Sequence, residues 1–471
     1  MSRKACVIGA GSNGLAGAIV LAQAGLRVDV LEAESIPGGA VRTLELTLPG
    51  FRHDFGSAVY PLAAGSPFFS SLPLSEHGLE WIHSPAVVAH PLDDGSAVVL
   101  ERDLGSARGS LAEDGRAWSD LVRPFVERWN EFVPEVLRAV PFIPKHPWLM
   151  ARFGMLAVQP ARLIAGRFRN ERTRALFGGF AAHSFLSLSE PLSGAFGMLM
   201  AASAHAVGWS IARGGAQSLT NALCGVLSNL GGRVITSSPV NSLDGLAECD
   251  LFLCDVSPRN LIKIAGEKLS RGYKLRLGRL RYGPGVFKVD YALNAPAPWK
   301  AAECARAATV HLGGSFEEIA ESEAAVRSGR IADRPFVLVA QPSLFDDSRA
   351  PVGKHTLWAY CHVPHGSTSN MLEKIEAQIE RFAPGFRDCV LARSVLFPAD
   401  LERMDANLVG GDVSAGIVDI RQFLFRPTSR HYATSARNIY LCSASTPPGA
   451  GVHGMCGYHA ARMALRRLDH A

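Results

Sequence analysis

Residues 7–43 read VIGAGSNGLAGAIVLAQAGLRVDVLEAESIPGGAVRT. Val7 and Ile8 close a short apolar run that reads as a strand. Gly9, Gly11 and Gly14 follow in G-x-G-x-x-G spacing and open a helical stretch ending near Gln23. In this pattern the first glycine makes a tight turn, the second lets backbone approach a pyrophosphate, and the third lets helix and strand pack closely. Ser12 and Asn13 stand at the helix start, where free N–H groups and the helix dipole favour an anion. A second strand, Arg27 to Leu31, delivers Glu32 eighteen residues after Gly14, with Ala33 next to it. A carboxylate there can accept hydrogen bonds from a ribose diol. The segment predicts an α/β chain built on a Rossmann-like nucleotide-binding domain.

Six residues beyond Glu32 comes the pair Gly38-Gly39, followed by Ala40 and Arg42. Adjacent glycines can pass close beside a cofactor, and an arginine fork can meet a diphosphate. This extension resembles the second glycine signature of the flavoprotein superfamily that includes amine oxidases and phytoene desaturases. A nicotinamide-only dehydrogenase has no general need for it, so the expected cofactor is FAD.

The 471 residues, 48% hydrophobic, can fill two or three domain-sized units. A net charge of +5 is mild and dispersed and gives little support to nucleic-acid binding, so no nucleic-acid partner is expected. Two uncharged stretches imitate membrane segments. Ala5 to Leu26 looks like a signal peptide, but Ser12, Asn13 and Gln23 interrupt it and cleavage would destroy the nucleotide site. Pro191 to Ala212 contains Ser203 and His205 and reads as a buried helix. The expectation is a cytoplasmic chain with no transmembrane segment, peripheral membrane contact being left open.

The nine cysteines are scattered. Cys249 and Cys254 form C-x4-C within a strand-like run. At ~3.3 Å per residue their alpha carbons lie roughly 16 Å apart, far beyond the ~7 Å limit of a disulfide, so no redox dithiol is expected. No Cys/His spacing points to a metal.

The organisation reads as discontinuous: residues 1–75, 208–258 and 405–471 form the FAD-binding domain, 76–207 a helical part of a substrate domain, and 259–404 its sheet-containing part, a mixed α+β unit. Pro124, Pro134, Pro141, Pro144 and Pro147 are expected to break the helical part into short pieces. Near the C-terminus, Gly449, Gly451 and Gly454 repeat the G-x-G-x-x-G spacing. Pro447-Pro448 separates them from the preceding strand, and only seventeen residues follow, too few for a second nucleotide fold. The motif reads as a loop and helix N-terminus completing the FAD site, with a plain turn as the alternative.

Taken together, GAVRTLELTLPGFRHDFGSAVYPLA, GWSIARGGAQSLTNAL, YGPGVFKVDYAL, VGGDVSAG and LCSASTPPGAGVHGMCGYHAARMAL resemble the phytoene dehydrogenase-related FAD-dependent oxidoreductases. The resemblance implies that Gly9, Gly11, Gly14, Glu32, Gly39 and Arg42 contact the ADP half of FAD, with Val240 beside the adenine. It puts Ala444, Ser445, Gly451 and Val452 near the diphosphate-to-flavin portion. Ser443 departs from the family, which more often has glycine there.

A flavin accepts a hydride from carbon, and a desaturation also removes a proton from the neighbouring carbon. His453 is the first candidate for an acid–base role. His183, His205 and His53-Asp54 are weaker ones, and His362 and His365 fit a pocket or a turn equally. The leading expectation is a CH–CH dehydrogenase acting on a lipophilic or conjugated small molecule, with oxygen, a quinone or another protein as electron acceptor. The alternatives are an amine or carbon–heteroatom oxidase producing hydrogen peroxide, a redox-neutral flavin isomerase, and a non-catalytic flavin-bound interaction protein.

Overall fold

A computed structural model describes residues 3–246 and 248–468. The segment Lys4–Ile8 forms the central strand of a five-stranded parallel sheet. Its order is Ile439–Leu441, Leu251–Cys254, Lys4–Ile8, Arg27–Leu31, Arg233–Ile235. Central strands of parallel sheets are covered on both faces and read as unbroken apolar runs, as ACVI and LFLC do here.

The helix Ser12–Gln23 packs directly against the last helix, Met455–Leu468. Glycines set their separation. A Cβ on Gly457 would lie 1.8 Å from the Asn13 carbonyl oxygen, and one on Gly17 would lie 2.2 Å from a Leu253 methyl. Ala16, Ala460, Ala461 and Ala464 continue this small-residue seam in the buried core. The two ends of the chain are thereby bound into one layer beside the first glycine turn.

A seven-stranded sheet forms the second unit. Its order is Val390–Leu396, Gly285–Leu293, His355–Val363, Val337–Ala340, Ala307–Leu312, Ala86–Pro91, Ala97–Leu100. All neighbours are antiparallel except Ala307–Leu312 with Ala86–Pro91. Residues 115–206 are mainly helical. Pro147 opens a helix, where its missing N–H costs nothing. Pro141 and Pro144 fall in the loop before it. Pro124 and Pro134, expected as breaks, instead lie inside the helices Gly115–Glu127 and Trp129–Val136. A helical proline leaves the carbonyl four residues before it without its usual donor; for Pro124 that carbonyl, of Asp120, accepts from Arg152 Nη2 at 2.9 Å. The run Pro191 to Ala212 contains the largely buried helix Ser193–Ala206. Among the described residues no helix is long and apolar enough to cross a membrane.

Candidate active site

Ligands of open α/β sheets bind beyond the carboxyl ends of the strands. Here four adjacent strands end in Ile8, Leu31, Cys254 and Leu441. Gly9, Glu32, Asp255 and Ser443 follow within two residues of those ends and line one cavity of about 410 Å³. Gly11, Ser12 and Asn13 at the first helix, Ala33, Gly38, Gly39 and Ala40 on the second loop, and Val240 also form its wall. So do Ala444, Ser445, Gly451 and Val452 from the far end of the chain.

The first turn leaves no room for side chains. Gly9 has φ +96°, and a Cβ on Gly14 would lie 2.1 Å from the Gly9 carbonyl oxygen. Gly14 therefore stands behind the wall as a packing residue, and its N–H donates to Asp255 Oδ2 at 2.8 Å. The Glu32 carboxylate is held by two backbone donors, Ala10 N–H at 2.7 Å and Glu34 N–H at 2.9 Å. Its orientation toward the cavity is thus set before any ligand arrives.

Arg42 does not line the cavity. Its Nε donates to the Gly39 carbonyl and its Nη2 to the Met404 carbonyl, both at 2.7 Å. The guanidinium also lies 5.0 Å over the Phe55 ring. These bonds clamp the second glycine loop to the segment around Met404, so Arg42 acts on the cavity through the loop it holds.

His453 lies outside both this cavity and its neighbour described below. Its ring sits behind Gly451, where a Cβ would come within 3.2 Å of it. Its Nδ1 accepts from the N–H of Met455, the first residue of the last helix, at 3.0 Å. Burial pushes its pKa down to about 4. The loop places the imidazole toward the helix it caps.

A second cavity of about 290 Å³ adjoins the first. The two share Ala40, Ser57, Leu408, Val413, Gly451 and Val452. Its wall is apolar and aromatic: Phe55, Tyr60, Phe185, Phe196, Met200, Trp209, Trp358 and Tyr360 come from both units of the fold. No carboxylate lines it among the described residues, and Lys288 is its single cationic side chain. Lys288 is buried and paired with Asp290 two residues along the same strand. Burial lowers the lysine's pKa and raises that of Asp290 to about 6, each opposed by the attraction between them.

Of the histidines singled out, only His183 reaches this wall. Its Nε2 lies 3.2 Å from Nε2 of the fully buried His311. Burial takes its pKa down to about 3, so it is a neutral imidazole across the ordinary pH range. His205 accepts from Trp118 Nε1 at 2.9 Å, its other nitrogen meeting the Arg102 carbonyl. His362 is bonded to Glu323 at 2.7 Å, and His365 to the Gly283 carbonyl at 3.1 Å. His53 and Asp54 lie behind the wall, near Asp290 and Arg349 respectively. These are structural contacts away from the cavity.

Sequence reasoning missed Asp255, Lys288 and Arg426. The buried Arg426 guanidinium donates to the carbonyls of Ser414, Ala415, Gly416, Ala444 and Ser445, holding the C-terminal loop against the cavity. A lone arginine carries no local signal for such a role. The nine cysteines are free.

The fold joins a Rossmann-type nucleotide-binding domain to a separate mixed sheet, as in solved amine oxidases. Residues 7–70 match the NAD(P)-binding Rossmann-like domain. The rat pyridine nucleotide-disulfide oxidoreductase domain-containing protein 2 is 25% identical, covering 98% of this chain and 93% of its own. A lycopene-forming phytoene desaturase from Pseudescherichia vulneris is 25% identical over 96% of each. The structure of putrescine oxidase bound to putrescine superposes with a TM-score of 0.61 at 15% identity, covering 100% of this chain and 99% of that one. The chain thus resembles, nearly end to end, the phytoene dehydrogenase-related oxidoreductases of the amine oxidase/phytoene desaturase superfamily.

Proposed function

We propose that this chain is an FAD-dependent CH–CH dehydrogenase acting on a neutral, lipophilic or conjugated small molecule. The observation that carries the reading is the composition of the second cavity. It adjoins the glycine-lined one, is walled by aromatic and aliphatic side chains, and among the described residues offers no carboxylate to a cationic amine.

The residues present fit FAD. The first cavity is lined by glycines at its turns, and Asn13 Oδ1 and Ser443 Oγ are buried without a partner among the described residues. Such orphaned atoms ordinarily find a partner in a ligand or water. In this reading Glu32 holds the ribose, the N–H groups at Ser12 and Asn13 face the diphosphate, and Val240 packs by the adenine. The loops around Ala40 and Gly451 flank the junction of the two cavities, where the ring system would enter. Bound FAD supplies the hydride acceptor. The chain's own task is to hold the substrate carbon there and keep water out, which the aromatic wall suits.

The test is anaerobic bleaching of the FAD-loaded protein by a panel of apolar conjugated compounds, set beside putrescine and aromatic amines, with mass spectrometry of products. The expected result is bleaching by an apolar compound whose product has lost two hydrogens. Bleaching by amines alone, with hydrogen peroxide formed in air, would replace this reading with the oxidase one.

A further inference from the structure

The apolar cavity carries few polar groups, and several of them are engaged within the chain. Tyr60 donates its hydroxyl to the Ser57 carbonyl, Trp209 Nε1 donates to Ser203 Oγ at 3.1 Å, and Lys288 is paired with Asp290. His183 is different. Its Nε2 meets His311 Nε2, but its Nδ1 has no partner among the described residues and keeps free surface where the residue lines the cavity. Trp209 packs against both imidazoles, with ring centroids 5.6 Å and 5.8 Å away, and fixes the pair.

The pair sets which proton His183 carries. A neutral imidazole has one N–H and one bare nitrogen, so a bond between the two Nε2 atoms needs the proton on one of them and not on the other. His311 decides which. Its Nδ1 is enclosed without a partner among the described residues, and a Cβ on Gly179 would lie 2.5 Å from it. The hydrogen that Gly179 has in place of that Cβ therefore faces Nδ1. A bare lone pair accepts such a contact weakly, whereas an N–H there would meet hydrogen and have no acceptor. His311 consequently keeps its proton on Nε2 and donates to His183 Nε2, which leaves the His183 proton on Nδ1, toward the cavity. Thr309 stands two residues before His311 on the strand Ala307–Leu312 and so on the same face. It lines the same wall, and its hydroxyl is buried without a partner among the described residues.

We propose that the His183 Nδ1–H binds an uncharged oxygen acceptor of the substrate, so that the molecule taken here is a lipophilic carbonyl compound rather than a pure hydrocarbon. The inference rests on the reading of this cavity as the substrate site. A donor at this position turns away an ammonium group, which has no lone pair to accept with. A carboxylate would be buried with no free cation among the described residues, since Lys288 is compensated by Asp290, and an uncompensated buried charge is costly. A carbonyl oxygen accepts from His183 without bringing charge, and its second lone pair suits the Thr309 hydroxyl. Phe196, Met200 and Trp209 on the same wall suit the apolar remainder of the molecule.

The test is equilibrium dialysis of the FAD-loaded full chain against trans-stilbene, trans-chalcone and a hydroxystilbene, probes of similar shape that carry no oxygen, a carbonyl and a hydroxyl. The expected result is tighter binding of chalcone than of stilbene by about fivefold or more, as one net hydrogen bond provides. His183→Phe should remove that preference while stilbene binding and flavin content stay constant, and nitrogen NMR of the histidine side chains should find His183 protonated at Nδ1. The wild-type comparison stands whether or not the variant folds. Stilbene binding with no preference for chalcone would overturn the carbonyl inference and leave the apolar substrate site standing; failure of all three probes to bind, with flavin retained, would overturn both. A chalcone preference that survives in His183→Phe would overturn the role of His183. Protonation at Nε2, with the hydroxystilbene preferred and chalcone not, would overturn the proposal in favour of a substrate that donates to this histidine.

Discussion

Asp255 offers the sharpest test of how the nucleotide cavity works. It follows the strand Leu251–Cys254, and its Oδ2 accepts the Gly14 N–H at 2.8 Å. Burial pushes its pKa up to about 8, with Asp405 and Glu32 adding repulsion and the Gly14 bond opposing them. An unfolded chain would ionise this carboxyl near pH 4. Between about pH 4 and 8 the folded chain therefore holds a proton that the unfolded chain has released. Stability falls as pH rises through that window and the loss levels off above it, with a slope near 1.4 kcal/mol per pH unit for one proton. Asp255→Asn keeps an oxygen for the Gly14 N–H and removes the titration. Urea unfolding of wild type and variant from about pH 5 to about pH 8 should show the wild-type profile steeper by roughly 1 kcal/mol per unit. The same substitution should preserve FAD retention above pH ~8, where the wild type acquires a negative charge beside the expected diphosphate. Parallel stability profiles and equal loss of FAD at alkaline pH would refute a protonated Asp255.

Glu32→Ala removes the acceptor assigned to the ribose and releases two backbone donors; FAD affinity should fall by roughly tenfold or more, and unchanged cofactor content would count against the role. His453→Ala should leave flavin reduction intact and cost about 0.5–2 kcal/mol of stability, the range of a lost helix cap; a large fall in the reduction rate would restore His453 to the chemistry. Lys288→Met strands a buried Asp290 and should cost roughly 3–5 kcal/mol, largely recovered in the double variant with Asp290→Asn. Thermal melts of the three proteins decide whether the pair is coupled in this way.

The α/β class and its Rossmann-like unit were legible because the first glycine turn is local. Strand, turn, helix and acid lie within one short window, and Gly14 answers to the Gly9 carbonyl in the same turn, although Gly9 and Gly11 make room for Asp255 from a distant strand end. The C-terminal loop was legible through its spacing, and Gly451 and Val452 do reach the wall. The direction of single side chains was not. Arg42 has the right chemistry for a diphosphate, yet its donors are taken by the Gly39 and Met404 carbonyls, the second 362 residues away in sequence. His453 stands beside two wall residues, but its ring turns to cap the next helix. Asp255, Lys288 and Arg426 sit in unremarkable local sequence and become informative only through partners from distant segments.

That contrast follows from how the two cavities are made. The nucleotide end is a backbone site, in which N–H groups, turns and close approaches dominate, and backbone geometry leaves a signature in glycine spacing. The apolar end is a side-chain site assembled from Phe55, Phe196, Trp209 and Trp358, which lie on separate segments of both units. Nothing requires those side chains to recur at a fixed interval, so no spacing encodes them. Substrate preference should consequently move with substitutions such as Phe196→Ala or Trp209→Phe while FAD content stays constant. Loss of FAD from such wall variants would mean that the two cavities are one binding unit, and the division of labour argued here would fall.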